Sequence, residues 1–387
     1  MIREIGAIVG QPDLELLGTL GPEIAPLFTR PLQVLHRVSE LYTARTCLLL
    51  LLDLGWEPCL RQGITPDGLC EDLPEQARKP LLWMLPFLAD EGLLTREVDR
   101  FTLNGEPDLD LAALREKVEA EAPGHQANFD LLDGVRSNIR PYFTEGKAGE
   151  GLLFDLALFP HWLAYFRNEN LAYFPNNLLT LLALREGLPQ GARLLELGAG
   201  AGSFAQLVAQ RGAEEGWLSR ISDYRFTDVA PAFLRRAQRE LKELAPGLPL
   251  HFQPLDLNRP LTGQGIEPHS LDAIIGINVL HVARDLEATL RDLRENLRPG
   301  GRLVIGECVK PNLTHPIYLE FFFNFIRSFT EVELHREWRP VHGFLTPECW
   351  DKALHHAGFA HVRFLPPPRP LMDQFPTFNA SGITAWD

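Results

Sequence analysis

Residues 194–204 read LLELGAGAGSF: an apolar run that ends in a carboxylate, followed by a turn rich in glycine. Between Phe204 and Gln210 the apolar residues recur at helical spacing. Strand, turn and helix in this order form the opening unit of a nucleotide-binding α/β sheet. The three glycines of the turn lack a Cβ atom, so the backbone can bend sharply there and present its N–H groups to a ligand.

The spacing of these glycines distinguishes between classes of ligand. A dinucleotide-binding fingerprint, G-x-G-x-x-G, would require glycine at position 203, where the chain has Ser203. The observed pattern, E-x-G-x-G-x-G, resembles motif I of the class I methyltransferases that depend on S-adenosylmethionine. A tight turn without any ligand is the alternative that the motif by itself leaves open.

Charge and cysteine content restrict the partners and the compartment of the chain. The net charge of the 387 residues is −14, which argues against DNA or RNA because phosphate binding needs a basic face. The five cysteines are scattered and form no C-x-x-C pair, as expected for reduced thiols in a cytoplasmic protein. The apolar run Cys47–Leu52 is too short for a bilayer, and the N-terminus does not read as a signal peptide. The histidines lack metal-ligand spacing, so we expect no membrane segment and no required metal.

The first part of the chain is predicted to be mainly helical. Residues 1 to about 30 lack periodicity and read as an irregular lead-in, whereas apolar helices are predicted over 32–54 and 80–90. A short ribbon around Asp99-Arg100 follows, and helices with a small ribbon are typical of a winged-helix-like unit. Because the chain is acidic, we expect this domain, residues 1–150, to serve as a lid or in dimerisation.

In the second part of the chain, residues 151–387, predicted strands alternate with helices. Strands are predicted to end at Glu196 and to cover 224–228, 250–253, 271–277, 302–306 and 359–364, and a helical segment is predicted over 317–329. The run Leu271–Ile277 is almost entirely apolar, as a buried parallel strand should be. This alternation predicts a doubly wound, mostly parallel α/β sheet of the Rossmann-like type.

Carboxylates stand at two of the strand ends, where the ligands of such sheets bind. Asp228 ends the second strand and can accept hydrogen bonds from both hydroxyls of a ribose, with a helix N-cap as the alternative role. Asp256 follows the third strand and can accept from an adenine amino group while Leu257 packs against the ring. Turn formation ahead of Arg259-Pro260 is the alternative role for Asp256.

The ends of the fourth and fifth strands carry a candidate base and its partner. His281 stands just beyond the fourth strand, and Glu307 ends the fifth. These strands are neighbours in the usual order of the fold, so the two side chains can approach each other. Methyl transfer needs an electron-rich nucleophile but no general acid. A histidine can supply that nucleophile by removing a proton, and a carboxylate can fix its tautomer and stabilise the imidazolium. A purely structural histidine is the alternative.

Longer stretches resemble the C-methyltransferase domains of polyketide synthases. The matching stretches are NLAYFPNN at 170–177, TDVAPAFL at 227–234, LDLN at 255–258 and NVLHVARDL at 278–286. The resemblance implies a seven-stranded class I methyltransferase fold for residues 151–387, with S-adenosylmethionine as the cofactor. It also implies that His281 and Glu307 form a catalytic dyad, which takes the acidic α-proton of a β-ketoacyl thioester so that the enolate accepts the methyl group.

The expected cofactor ligands lie in the glycine turn and at the strand ends. They are Glu196, Gly198, Ala199, Gly200, Gly202, Asp228, Val229, Asp256, Leu257 and Asn278. An acceptor pocket is expected between residues 150–190 and the aromatic segment Tyr318–Phe329, and its candidate lining residues are Tyr173, Asn177, Phe322 and Phe325. Plain core packing is the alternative for these aromatic residues.

Two other functions stay open on the sequence alone. The strand-five end, VIGECVKP at 304–311, also resembles small-molecule O-methyltransferases, in which a histidine base would activate a phenol or enol oxygen. A non-catalytic protein that keeps the fold for binding is the remote alternative. We expect a small hydrophobic acceptor. The sequence leaves three points open: whether an acyl carrier protein delivers the acceptor, whether the chain forms a homodimer, and whether it is free-standing or an excised domain.

Overall fold

The computed structural model describes residues 18–71 and 73–387. Much of the lead-in predicted over residues 1–30 therefore lies outside the described residues. The chain forms two compact units, and each of them is assembled from separate segments. The N-terminal unit contains the described residues up to Tyr165 together with Asn312–Thr330 and Gln374–Phe378. The sheet unit contains Phe166–Pro311, Glu331–Asp373 and Asn379–Asp387.

The regular elements follow in chain order. The helices are α1 (Arg30–Asp53), α2 (Glu57–Gln62), α3 (Pro66–Cys70), α4 (Arg78–Asp90), α5 (Leu111–Glu121), α6 (Ala127–Asn138), α7 (Arg140–Thr144), α8 (Gly149–Leu153), α9 (Phe159–Tyr165), α10 (Phe174–Arg185), α11 (Ser203–Glu214), α12 (Pro231–Leu244), α13 (Leu286–Asn296), α14 (Arg327–Thr330), α15 (Pro347–His356) and α16 (Pro368–Gln374). The strands are β1 (Leu94–Glu97), β2 (Arg100–Leu103), β3 (Ala192–Leu197), β4 (Ile221–Asp228), β5 (Leu250–Pro254), β6 (Leu271–Ile277), β7 (Leu297–Cys308), β8 (His361–Leu365) and β9 (Ala380–Trp386).

The N-terminal unit is built on the long helix α1, which matches the helix predicted over 32–54. A proline in the first turn sets the helical φ where no N–H is needed, and the helix ends where Gly55 adopts a φ of +86°. The ribbon predicted around Asp99-Arg100 is confirmed, since β1 and β2 pair antiparallel on either side of it. Ile64 extends this ribbon by a bridge to Phe101.

Helix α1 contains a histidine that is buried in the neutral form. The Nδ1 atom of His36 lies 2.9 Å from the hydroxyl of Tyr318, and Nε2 has no partner among the described residues. Burial lowers the pKa of His36 from its ordinary value of 6.5 to about 4. Protonation therefore favours the unfolded chain, in which the imidazole is solvated, over the folded one.

We expect the free energy of unfolding to fall as the pH drops from 6.5 to 4 because of His36. The group adds stability above pH 6.5, and this contribution, about 3 kcal/mol, is lost below the folded-state pKa. Chemical denaturation of His36→Gln at several pH values should show a weaker decline than the parent over this range. His361→Gln, which replaces an exposed histidine, should decline as the parent does. Equal slopes for parent and His36→Gln would contradict the expectation.

The sheet unit is a seven-stranded sheet in the order β5-β4-β3-β6-β7-β9-β8. Strands β5, β4, β3, β6 and β7 run parallel, and β9 pairs antiparallel with both β7 and β8. This confirms the predicted doubly wound, mostly parallel architecture. The chain leaves β3 toward β4 on one side and returns to β6 on the other, so the topological switch, where such folds bind ligands, lies between β3 and β6.

The strand β9 was not identified from the sequence. Its residues, ASGITAW, are mostly small or polar, yet most of them are buried where β9 fills the space between β7 and β8. The outer strand predicted over 359–364 is present as β8 and forms the sheet edge. The predicted helical segment over 317–329 is broken into short turns and α14, and it belongs to the N-terminal unit.

Helix α10 packs unusually close to the sheet because two glycines face it. A Cβ atom on Gly306 of β7 would lie 2.0 Å from Oγ1 of Thr180, and one on Gly382 of β9 would lie 2.7 Å from the carbonyl oxygen of Leu179. No real Cβ atom fits at either distance, so both positions require glycine. This contact fixes the start of α10, and with it Tyr173, against the carboxyl end of β7.

Candidate active site

The glycine turn after β3 has the conformation that its sequence predicts. Gly198, Gly200 and Gly202 have φ angles of +55°, +52° and +81°, in the region that favours glycine. Gly202 is the N-cap of α11, so the turn leads directly into the positive end of that helix. A Cβ on Gly200 would meet only the carbonyl oxygen of Gly198, at 3.8 Å, so the space in front of this residue is open.

The carboxylate of Asp228 holds the glycine turn to the end of β4. Oδ2 accepts a hydrogen bond from the N–H of Gly200 at 2.9 Å, and Oδ1 accepts one from the N–H of Ala230 at 2.7 Å. Ala230 is the N-cap of α12, so the alternative of Asp228 as the cap is wrong. Burial raises the pKa of Asp228, and the two N–H donors oppose that rise. Each oxygen keeps a further lone pair for a ribose hydroxyl.

The residue after Asp228 presents an apolar surface to solvent. Val229 is 68% exposed, although it lies between the buried Asp228 and the start of α12. On the neighbouring strand end, Oδ1 of Asp256 accepts from the backbone N–H of Asn258 at 2.9 Å, which is the turn interaction considered as an alternative. Leu257 is half-buried beside it. Val229 and Leu257 can cover the faces of an aromatic base, while the role of Asp256 toward an amino group stays a prediction.

Glu196 is a buried carboxyl group inside the sheet. It is 2% exposed and accepts a hydrogen bond from the hydroxyl of Tyr224 at 2.7 Å. Burial raises the pKa of Glu196 to about 8, and the nearby charge of Asp228 adds to the rise while the hydrogen bond from Tyr224 opposes it. Its backbone carbonyl accepts from the hydroxyl of Thr227 at 2.6 Å. These contacts join β3 to β4 directly beneath the glycine turn.

The side chains of His281 and Glu307 form a hydrogen-bonded pair. Nδ1 of His281 lies 2.8 Å from Oε2 of Glu307. The other oxygen of Glu307 accepts from the backbone N–H groups of Leu280 and His281, at 3.1 and 3.2 Å. Both side chains are buried, with exposures of 3% and 0%. The sequence expectation that these two residues approach each other is therefore met, because β6 and β7 are adjacent.

Asn278 and Tyr173 complete the polar groups at this strand end. Asn278 has a φ of +48°, a left-handed conformation that asparagine tolerates better than most residues. Its Oδ1 accepts from the N–H of Cys308 at 3.0 Å, so its Nδ2 is the donor that contacts the hydroxyl of Tyr173. Burial raises the pKa of Tyr173, and the charges of Cys308, Glu196 and Glu307 raise it further. The phenol therefore stays protonated close to the candidate dyad.

The other candidate pocket residues lie in two different places. Asn177 is fully buried in the sheet unit, where Nδ2 donates to Asn168 and Ser203 at 2.8 and 2.9 Å. Its Oδ1 is buried without a partner among the described residues. Phe322 and Phe325 lie in the N-terminal unit. The rings of Trp162 and Tyr165 surround Phe322, and those of Tyr142 and Phe143 surround Phe325. The role of all these residues in a pocket stays a prediction.

Two residues near His281 were missed by sequence reasoning. The ring of Phe344 packs edge-on against the imidazole with 4.6 Å between centroids. Arg339 is 1% exposed and donates to the carbonyl oxygen of His281. None of residues 331–346 was expected from the sequence to form part of a site. Because Arg339 lies 58 positions from His281 along the chain, no local pattern in the sequence could have linked them.

In residues 18–71 and 73–387, no group of three or more His, Cys, Asp or Glu side chains is placed to hold a metal ion. That no metal is required stays a prediction. Within the same residues, every helix is too short or too polar to cross a bilayer.

The residues at the strand ends fit S-adenosylmethionine. The open space at Gly200 lies beside a carboxylate that can accept from ribose hydroxyls, and Val229 offers an exposed apolar face next to it. The amide of Asn177 donates through Nδ2 to Ser203, the first residue of the helix after the glycine turn, and its Oδ1 has no partner within residues 18–71 and 73–387. A buried acceptor without a donor fits a positively charged ammonium group, which the amino-acid part of this cofactor carries.

Comparisons with known proteins identify a methyltransferase domain in the chain. A family model described as a methyltransferase domain matches residues 195–303. Highly reducing polyketide synthase 2 of Gibberella zeae is 34% identical over 172 residues, which cover 43% of this chain and 6% of that protein. The chain thus spans only a small part of the length of the curated relatives that it matches.

Solved structures share the fold over nearly the whole chain. CurJ carbon methyltransferase has a TM-score of 0.72 at 21% identity, with 96% of this chain and 95% of that chain covered. The C-methyltransferase domain of the citrinin polyketide synthase has a TM-score of 0.71 at 20% identity and covers 90% and 88%. Residues 195–303 are therefore a methyltransferase domain, and the chain has the fold of the C-methyltransferase domains of polyketide synthases.

Proposed function

We propose that this enzyme transfers a methyl group to the acidic α-carbon of a β-ketoacyl thioester. The observation that carries the proposal is the 2.8 Å contact between Nδ1 of His281 and Oε2 of Glu307 at the carboxyl ends of β6 and β7. A general base paired with a carboxylate suits a substrate that must lose a proton before it can accept a methyl group. The resemblance of residues 227–234, 255–258 and 278–286 to the polyketide C-methylating domains supports the same reaction.

The pair supports Nε2 of His281 as the nitrogen that acts. A carboxylate can only accept, so the 2.8 Å contact favours a proton on Nδ1 and a lone pair on Nε2. Nε2 then takes the α-proton, the C–H bonding electrons pass into the enolate, and Glu307 stabilises the imidazolium. Glu307 is itself held by the N–H groups of Leu280 and His281, so the carboxylate cannot turn away.

Tyr173 and Asn278 are proposed to act on the enolate oxygen. Asn278 donates to the hydroxyl oxygen of Tyr173, and the phenol stays protonated because burial and nearby negative charges raise its pKa. The phenol of Tyr173 can then donate its proton to the β-keto or thioester oxygen as negative charge develops there. The bound S-adenosylmethionine supplies an electrophilic methyl group. Gly200 and Asp228 orient it, and the 2% exposure of His281 keeps bulk water from the base.

The acceptor is proposed to be small and hydrophobic and to be delivered on an acyl carrier protein. The polyketide synthases that the chain resembles in sequence support this carrier. The pocket assignment of Tyr173, Asn177, Phe322 and Phe325 is part of the proposal. The proposal also includes a role of residues 1–150 as a lid or in homodimerisation. It assigns catalysis to residues 151–387 and a cytoplasmic location to the protein.

Analysis of the methylated product tests the proposed reaction. The enzyme is incubated with S-adenosylmethionine and a β-ketoacyl pantetheine thioester, and the product is examined by mass spectrometry and NMR. A new C–CH₃ group at the α-carbon with stoichiometric S-adenosylhomocysteine is the expected result. A methyl group on the enol oxygen, or turnover only with phenols, would instead favour the O-methyltransferase that the sequence at 304–311 also resembles.

A further inference from the structure

The segment 331–346, here called the covering segment, contacts the turn that carries His281. The backbone N–H of Glu333 donates to the carbonyl oxygen of Arg284 at 2.8 Å. Arg339 and Phe344 make two further contacts, to the backbone and to the imidazole of His281. All three contacts lie within the sheet unit. The covering segment therefore contacts the turn at three points: the carbonyl oxygen of Arg284, the carbonyl oxygen of His281 and the imidazole of His281.

The guanidinium of Arg339 is the central contact. Nη2 donates to the carbonyl oxygen of His281, Nη1 donates to that of Ala283, and Nη1 also lies 3.5 Å from that of Arg284. These carbonyls belong to a turn too short to satisfy them internally, and the rigid fork of an arginine can reach several at once. At 1% exposure, the head group is removed from solvent.

The backbone around Arg339 is itself anchored. Arg339 and His335 exchange backbone hydrogen bonds at 2.8 and 2.9 Å, which close a small loop. Trp338 in this loop stacks on His356 of α15 with 4.0 Å between ring centroids. The position of the guanidinium is thus set by a packed helix rather than by a solvated loop.

We propose that Arg339 is a positioning residue that holds His281 in the geometry of a general base. The inference rests on the proposed function of His281. Arg339 acts through the backbone of the turn, because its guanidinium donates to the carbonyl oxygens of His281 and Ala283. Its positive charge also acts on the carboxylate of Glu307, the hydrogen-bond partner of His281.

The charges around Arg339 agree with this second effect. Burial lowers the pKa of Arg339 to about 10, while the carboxylates of Glu307, Asp285 and Glu333 act to raise it. The guanidinium therefore remains charged at neutral pH. Of the other groups on the packed elements, Arg284 pairs with Glu333 at 3.6 Å, and Lys310 is buried next to Leu345. Without the positive charge at position 339, the negative charge of Glu307 is less compensated, and this favours protonation of His281.

Two substitutions separate the charge of Arg339 from its fork geometry. In Arg339→Met the midpoint of the pH–rate profile should move up by about one to two pH units, and turnover at neutral pH should fall by at least roughly tenfold. In Arg339→Lys the charge remains, so the midpoint should stay near that of the parent while turnover still falls. Arg336→Met, an exposed arginine on the same segment, is the matched control and should behave as the parent.

Calorimetry with S-adenosylmethionine shows whether each variant keeps its fold and cofactor site. A folded Arg339→Met with an unchanged midpoint and turnover would overturn the proposal, and so would an Arg339→Lys with the parent's turnover. If Arg339→Met does not fold, the turnover of Arg339→Lys decides. His281→Ala is measured alongside: if it keeps the parent's activity, the proposed function fails, whereas its inactivity with unaffected Arg339 variants refutes only the role of Arg339.

Discussion

Replacement of His281 by alanine is expected to lower turnover by roughly 10²–10⁴-fold, the usual contribution of a positioned base. Affinity for S-adenosylmethionine should stay nearly unchanged, because the expected cofactor ligands in the glycine turn and at Asp228 lie at the ends of β3 and β4, whereas His281 follows β6. Single-turnover kinetics with a β-ketoacyl thioester measures the loss, and calorimetry measures the affinity. His251→Ala, whose side chain is 71% exposed, is the matched control and should keep the parent's rate.

Two further readouts show whether the lost group is a base. The parent's rate should rise with pH as the imidazole loses its proton, and this rise should be absent in His281→Ala. Without cofactor, the parent should exchange the α-deuterons of a labelled thioester for solvent protons faster than background. Glu307→Gln should be impaired less than His281→Ala, because an amide can still orient the ring but does not offset its charge. Undiminished methylation by His281→Ala would rule out the dyad.

The second large effect is expected at Gly200, where leucine should weaken binding of S-adenosylmethionine at least about 100-fold. The protein has room for a Cβ at this position, since the nearest atom would be 3.8 Å away. The side chain would instead occupy the space in front of the turn, where the ligand must approach the backbone. The left-handed φ of +52° adds a strain of about 1–2 kcal/mol to the folded protein. Calorimetry and chemical denaturation measure the two effects separately.

The control for this experiment introduces similar backbone strain at a glycine outside the expected cofactor site. Gly216 follows α11 with a φ of +76°, and a Cβ there would have nothing within 4 Å. Gly216→Leu should therefore lose similar stability yet bind the cofactor as the parent does. Parental affinity in Gly200→Leu would mean that the cofactor is bound elsewhere.

Features that depend on a local motif or on the usual strand order of this type of sheet were predictable from the sequence. The turn after β3 follows from the glycine spacing, and the approach of His281 to Glu307 follows from the adjacency of β6 and β7 in this type of sheet. The strand β9 was not predictable, because its small and polar residues are buried by their place between two strands and not by their own hydrophobicity. The contact of Arg339 with His281 depends on tertiary folding, which sequence periodicity does not record.

The same limit applies to two residues that were identified from the sequence. Asp256 was expected at a strand end, but only the structure shows that one of its oxygens is already used by the turn at Asn258. Phe322 was expected beside an acceptor, and the structure shows its ring among those of the N-terminal unit. An aromatic run predicts burial, but it does not indicate which of two cores will receive it.

The interleaving of the two units limits how this enzyme can be shortened or recombined. The chain changes from one unit to the other after residues 165, 311, 330, 373 and 378. A cut at any one of these junctions leaves residues of both units on at least one fragment, and a cut after residue 165 or 311 also separates the aromatic rings of 318–325 from the helices they pack against. Shuffling between relatives at one junction would produce mismatched cores, so the two units are expected to be inherited together as a single evolutionary module.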